Sequence, residues 1–200
     1  QADRRPVDLW DAKAAAEAAL SAIGAPVDRL MTLRTAPDWY HPGRAAVLSL
    51  GPKNALAQFG ELHPRALEAM DVKGPAVAFT VFVEAAPHPK AKGATRPALA
   101  ASDLQAVERD FAFVVDARVE AEALLRAAKG ADKTLIESAE VFDVFDGMRA
   151  EDALGTGKKS VAFSIRLQPR DATLTDKEID AVAEKVVAAV AKATGGALRG

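Results

Sequence analysis

The sequence predicts an α+β protein, antiparallel sheet with helices, arranged as two successive modules. Three observations carry this. Residues 160–168 alternate strictly: Val161, Phe163, Ile165 and Leu167 point one way, and Ser160, Ala162, Ser164, Arg166 and Gln168 the other. Period two with one apolar face marks a half-buried strand. Thr175 with Glu178 three residues on is a capping box, opening a helix whose apolar stripe is Ile179, Val182, Val186 and Val190. Across the second half the signals run β-α-β-β-α-β. Such a chain folds as a ferredoxin-like βαββαβ sandwich, with both helices on one sheet face and the other face free.

Bulk composition narrows the function classes. Two hundred residues, half of them hydrophobic, allow one large domain or two small ones. A formal net charge of −2 argues against a non-specific nucleic-acid binder, which needs a large basic excess. The chain has no cysteine, so disulfides and thiolate metal sites are excluded. No apolar run reaches membrane-spanning length, and the start lacks a signal-peptide pattern. A soluble, cytoplasmic protein is expected. The opening QADRRPVDLW has no Met, which points to part of a longer chain.

In order, Asp8 to Ile23 reads as a helix capped by Asp8 or Asp11 and stopped by Gly24 and Pro26. Val27 to Leu33 reads as a short strand, and TAPDWYHPGR as a loop. Ala45 to Leu50 and Ala55 to Phe59 are strands joined by a turn at 51–54. Pro64 opens a short helix ending near Met70, and AVAFTVFVE at 76–84 is a strong strand. Residues 85–101, with Pro87, Pro89 and Pro97, have linker composition, which places the domain boundary near Arg96: 1–95, then 96–200. Phe111 to Asp116 is a strand, and Val119 to Lys129 a helix ended by Gly130. Thr134 to Gln168 is a hairpin with a long connection. Gly195 and Gly196 end the last helix, and ALRG is a closing edge strand.

The hairpin carries the candidate chemistry. Its first strand ends in FDVF, and if Phe142 and Val144 join the core, Asp143 and Phe145 stand on the open face beside Ser160. A carboxylate acceptor, a ring and a hydroxyl on one exposed face suit a planar ligand, a nucleobase above all. In the competing reading Phe145 fills a core or faces a neighbouring domain, and Asp143 caps the turn. Residues 96–200 hold fifteen Lys and Arg against eighteen Asp and Glu, so any RNA contact there is local. His41, His63 and His88 are too widely spaced, and too poor in carboxylate partners, for a metal site. His63 beside Glu61 reads as a turn feature rather than a base. GTGKKS at 155–160 lacks the spacing of a phosphate loop and precedes a strand, so it reads as a hairpin loop. No nucleophile–base arrangement is readable.

AVERDFAFVVD, ESAEVFDVFDG, GKKSVAFSIRLQPRDATLTDKEI and the terminal ALRG together resemble a known family, the ferredoxin-fold anticodon-binding domain that closes the beta subunit of bacterial phenylalanine–tRNA ligases. Upstream, WYHPGR, LGPKNALAQFGELHPRAL and AFTVFVEAAP resemble the end of that subunit's catalytic-like module, a class II synthetase-like α+β core that does not catalyse. The resemblance implies a C-terminal portion of such a subunit. It implies that Phe145 stacks the first anticodon base, that Asp143 hydrogen-bonds it, and that Ser160 and Arg199 lie at the anticodon. The stacking residue is commonly tyrosine in the family; Phe145 keeps the ring face and lacks the hydroxyl. The implied partners are phenylalanine tRNA and an alpha subunit, in an alpha2-beta2 heterotetramer. ATP and magnesium serve the whole ligase, with no cofactor and no catalytic residue in this portion. Two other classes compete: a free-standing ferredoxin-like small-molecule regulatory domain, and a structural module without a ligand.

Overall fold

A computed structural model describes residues 5–87 and 102–199. The chain divides into two compact units, Gln1–Arg96 and Pro97–Gly200. The expected boundary at Arg96, and His88, lie outside the described residues.

The first unit begins with α1 (Leu9–Ala22). Asp8 is the cap: its Oδ1 accepts from the Trp10 and Asp11 backbone N–H groups at 2.8 and 3.2 Å. Asp11 reciprocates by accepting from the Asp8 backbone N–H at 2.9 Å. Four strands follow, β1 (Met31–Leu33), β2 (Tyr40–Ser49), β3 (Ala55–Leu62) and β4 (Val77–Val81), paired antiparallel in chain order. A short helix, α2 (Pro64–Ala69), joins the last two. The apolar stripe Ala12, Ala16 and Leu20 of α1 meets Ala46, Leu48, Ala57 and Phe59 of the sheet.

Three expectations need correction here. Val27–Arg29 is a 3-10 turn, leaving only Met31–Leu33 as strand, because the residues after Gly24 and Pro26 complete a turn first. WYHPGR is not loop throughout: β2 starts at Tyr40 and carries Pro42 and Gly43 in an irregularity between the pairs Tyr40–Leu62 and Ala45–Gly60. A bulge tolerates proline within a strand. The strand expected at 76–84 stops at Val81, and Val83–Ala85 turns as a 3-10 helix.

The second unit runs β5 (Val107–Asp116), α3 (Ala121–Ala131), β6 (Ile136–Phe145), α4 (Met148–Leu154), β7 (Lys158–Leu167), α5 (Asp176–Thr194) and β8 (Ala197–Leu198). Its sheet order is β6-β7-β5-β8, all antiparallel. This is the ferredoxin-like arrangement, with one added helix. β5 buries Phe111, Phe113 and Val115, and β7 buries Phe163, Ile165 and Leu167, against the predicted stripe of α5 and against Leu124 and Ala128 of α3. Gly195, at φ 67°, takes the left-handed cap that ends α5.

Gly130 does not end α3. The helix runs one residue further and stops at Asp132, whose side chain captures the next turn. Two further differences bear on the site. The connection between β6 and β7 is not open loop but holds α4, bracketed by Gly147 at φ 75° and Gly155 at φ 100°. Phe142 and Val144 do not join the core: they are 61% and 43% exposed. Val144 keeps its place opposite Val161 and is exposed on the edge strand, whereas Phe142 falls at a register slip. Val141 pairs with Phe163 and Asp143 with Ala162, so Phe142 is an extra residue with nothing opposite it.

Candidate nucleic-acid interface

The face of the second sheet turned away from α3 and α5 can be read row by row from the strand register. One row runs Phe145, Ser160, Val114, Ala197 across β6, β7, β5 and β8. The row beside it on the same face runs Asp143, Ala162, Ala112, and ends at Arg199, whose backbone N–H donates to the Ala112 carbonyl at 2.7 Å. Asp143 and Phe145 thus share the open face on the β6 edge. Asp143 is exposed and Phe145 half-buried. Between the edges the floor is small-residue, Ala112 and Ala162, over which a flat ring system can lie.

The exposure expected of Ser160 is not found. The residue sits in the expected row but is only 3% exposed. Helix α4 packs on β7, and its Ala150 is fully buried without belonging to the helix-side core. This helix accounts for the cover over Ser160. The signal was present in sequence, because MRAEDAL between two glycines has helix-forming composition.

Arg199 is brought to the same face but not to the same place. Three strand spacings, about 14 Å at the usual ~4.8 Å each, separate β6 from β8. Arg199 and Asp143 are therefore too far apart to share one polar atom of a ligand.

The other half of the face carries acids. Asp110, Ser164 and Glu140 form one row, and Arg166 lies between Glu108 at 3.5 Å and Glu137 at 2.8 Å. Paired in this way, Arg166 offers no net positive field to a phosphate. An RNA strand on this sheet is confined to the Phe145 end.

Two concave regions lie elsewhere. One, of about 580 Å³, is lined by Arg34, Tyr40, His63 and Arg65 in the first unit. Another, of about 820 Å³, is bordered by Ile136, Gln168 and Arg170 at the opposite end of β6 and β7 from Phe145. Neither includes Asp143, Phe145, Ser160 or Arg199. Two of the histidines have structural tasks. His63 Nδ1 caps α2 by accepting from the Arg65 backbone N–H at 3.1 Å, and His41 Nδ1 accepts from the Gly43 backbone N–H at 3.1 Å. Among the described residues no cluster of His, Asp or Glu is arranged to hold a metal ion. GTGKKS is a turn into β7, with the Lys158 backbone N–H donating to the Gly155 carbonyl at 3.1 Å.

The fold defines a class. Residues 102–199 match the family described as the ferredoxin-fold anticodon binding domain. Residues 1–83 match the phenylalanyl tRNA synthetase beta chain CLM domain. Phenylalanine–tRNA ligase beta subunits are similar over nearly the whole chain: 63% identical in Cereibacter sphaeroides, 60% in Ruegeria pomeroyi and 53% in Brucella abortus, each covering 98% of this chain. The chain belongs to the phenylalanine–tRNA ligase beta subunit family. It spans 24% of the length of each of those relatives.

Proposed function

We propose that this chain is the C-terminal portion of a ligase beta subunit and that its second domain holds the anticodon of phenylalanine tRNA. The domains are 1–95, the end of the catalytic-like module with its linker, and 96–200, the anticodon-binding domain. The whole ligase, a cytoplasmic alpha2-beta2 heterotetramer, joins phenylalanine to its tRNA with ATP and magnesium, and its alpha subunit binds phenylalanine and ATP. Residues of this chain supply recognition and subunit docking. The observation that carries the reading is the side-by-side placement of Asp143 and Phe145 on the sheet face that α3 and α5 leave free. Phe145 stacks the first anticodon base, Asp143 accepts from its edge, and Arg199, on the far edge, meets the backbone. The similarity to ligase beta subunits over nearly the whole chain disfavours the small-molecule regulatory reading.

The test is aminoacylation by the whole ligase with normal tRNA and with a variant at the first anticodon base. Phe145→Ala lowers kcat/KM by about 1–3 kcal/mol, the usual value of one base–aromatic stack. Phe145→Tyr is mild. Asp143→Ala costs on the order of 1–3 kcal/mol and narrows the difference between the two tRNAs, because a base-edge acceptor is gone. If both alanine variants charge both tRNAs like the parent, the anticodon is not held here.

A further inference from the structure

We propose that the cavity beside α2 in the first unit is a phosphate-binding site. It is independent of the anticodon reading, which concerns the second unit alone.

The cavity lies on the side of the first sheet that α1 leaves uncovered. Ala46 and Leu48 of β2 pack against α1. Ala45, one residue off in a period-two strand, points the other way and lines the cavity. Ala45 pairs with Gly60, and Tyr40 pairs with Leu62, two residues further along β3, so Tyr40 shares that face. Tyr40 is 3% exposed and is not among the side chains packed under α1. With Ala45 it gives the cavity an apolar floor. At about 580 Å³ the space suits a small ligand.

Donors converge on this floor from two separate segments. Arg34 follows β1, whereas His63 and Arg65 stand at the start of α2. His63 Nδ1 accepts from the Arg65 backbone N–H at 3.1 Å. A neutral imidazole whose Nδ1 accepts carries its proton on Nε2, so the ring has a donor left to offer. Arg65 is exposed, and among the described residues no carboxylate lies within ion-pair distance of its guanidinium. Arg44, nearby in sequence, differs: it is paired with Glu61 at 2.6 Å and does not line the cavity. Asp38 is the one carboxylate on the lining, against two guanidinium groups. The lining is thus rich in donors and short of acceptors, and it calls for an anion. Guanidinium groups favour phosphate and carboxylate alike, through charge-assisted hydrogen bonds. Donors arriving from two sides suit a tetrahedral phosphate, which accepts in all directions, better than a planar carboxylate. A free mononucleotide and an RNA backbone present the same group, and the test separates them.

The 200-residue chain is titrated at constant ionic strength with potassium phosphate, AMP, hexauridylate RNA and potassium acetate, followed by the amide and side-chain NMR signals of residues 63–66. Phosphate is expected to shift these signals saturably, and acetate much less. Arg65→Gln weakens the phosphate Kd roughly tenfold, the usual effect of losing a charged hydrogen-bond donor. His63→Asn weakens it as well, because asparagine still caps α2 but lacks the Nε2–H. Arg44→Gln leaves it unchanged. Thermal melts matching the parent show that the variants fold. A tighter Kd for AMP assigns a free mononucleotide as the source, a tighter Kd for hexauridylate an RNA backbone, and either upholds the site. The proposal is overturned if phosphate causes no saturable shift, or if acetate matches it. It is equally overturned if Arg65→Gln and His63→Asn bind phosphate like the parent.

Discussion

Asp132 ties three elements of the second unit together, and replacing it should loosen them in a pH-dependent way. Its Oδ1 accepts from the Thr134 hydroxyl at 2.6 Å and from the Thr134 and Leu135 backbone N–H groups at 3.2 Å each. Its Oδ2 faces Lys185 Nζ of α5 at 3.0 Å. The Thr134 hydroxyl first, and Lys185 second, hold the carboxyl at about 2, below its ordinary 3.8. The side chain is 13% exposed, so solvent screening is limited. A depression of nearly two pH units at ~1.4 kcal/mol per unit corresponds to roughly 2 kcal/mol. Because the folded state holds the lower pKa, this stability is complete above the unfolded value near 3.8. It is lost as pH falls towards about 2. Lys185 is 56% exposed, which limits its share to under about 1 kcal/mol. Asp132→Asn keeps an acceptor for Thr134 and Leu135 but loses the charge. It should cost about 1–2 kcal/mol at pH 7 and almost nothing near pH 2. Both tryptophans, Trp10 and Trp39, and the single tyrosine, Tyr40, lie in the first unit, so intrinsic fluorescence does not report on this change. Urea titrations followed by the amide NMR signals of β5 and β7 do. The argument is refuted if parent and Asp132→Asn unfold together at pH 7, or differ by the same amount at pH 7 and pH 2.

Other predictions are direct. In Gly60→Ala the new methyl would meet Ala45 Cβ, and would sit 2.6 Å from Ala45 Cα and 2.7 Å from the Arg44 carbonyl oxygen. The β2–β3 pairing must then shift, at a cost of about 2–3 kcal/mol, read as an earlier urea midpoint in Trp fluorescence; an unchanged midpoint contradicts it. Thr175→Ala removes the cap that accepts from the Glu178 backbone N–H and should cost about 1 kcal/mol, with Thr175→Ser restoring most of it in the same NMR titration. Arg199→Ala should lower the slope of log Kd against log salt for the tRNA by about one, whereas Asp143→Ala should leave the slope alone.

Much of this molecule is written in neighbouring residues. The strand at 158–167, the stripe of α5 and the caps at Asp8 and Thr175 depend on periodicity and on groups three residues apart, so they are legible without a fold. The order of elements in the second half, and with it the ferredoxin-like sheet, follows from the same local signals. What the sequence could not show is how strands pair and what covers them. Period-two counting through FDVF assigned Phe142 and Val144 to the core, but register and cover belong to the whole sheet: Phe142 has no partner on β7, and both side chains stay exposed on the edge strand. Ser160 alternates correctly and is still buried, because α4 in the connection packs on β7 and its cover is a tertiary fact. Gly130 looked like a stop and lies inside α3, since Asp132 offers the stronger terminus through Thr134, Leu135 and Lys185. Arg199 reads as a neighbour of the other site residues only by family resemblance. The strand order alone sets it across the sheet from Asp143, because β8 pairs with β5 while β6 pairs with β7.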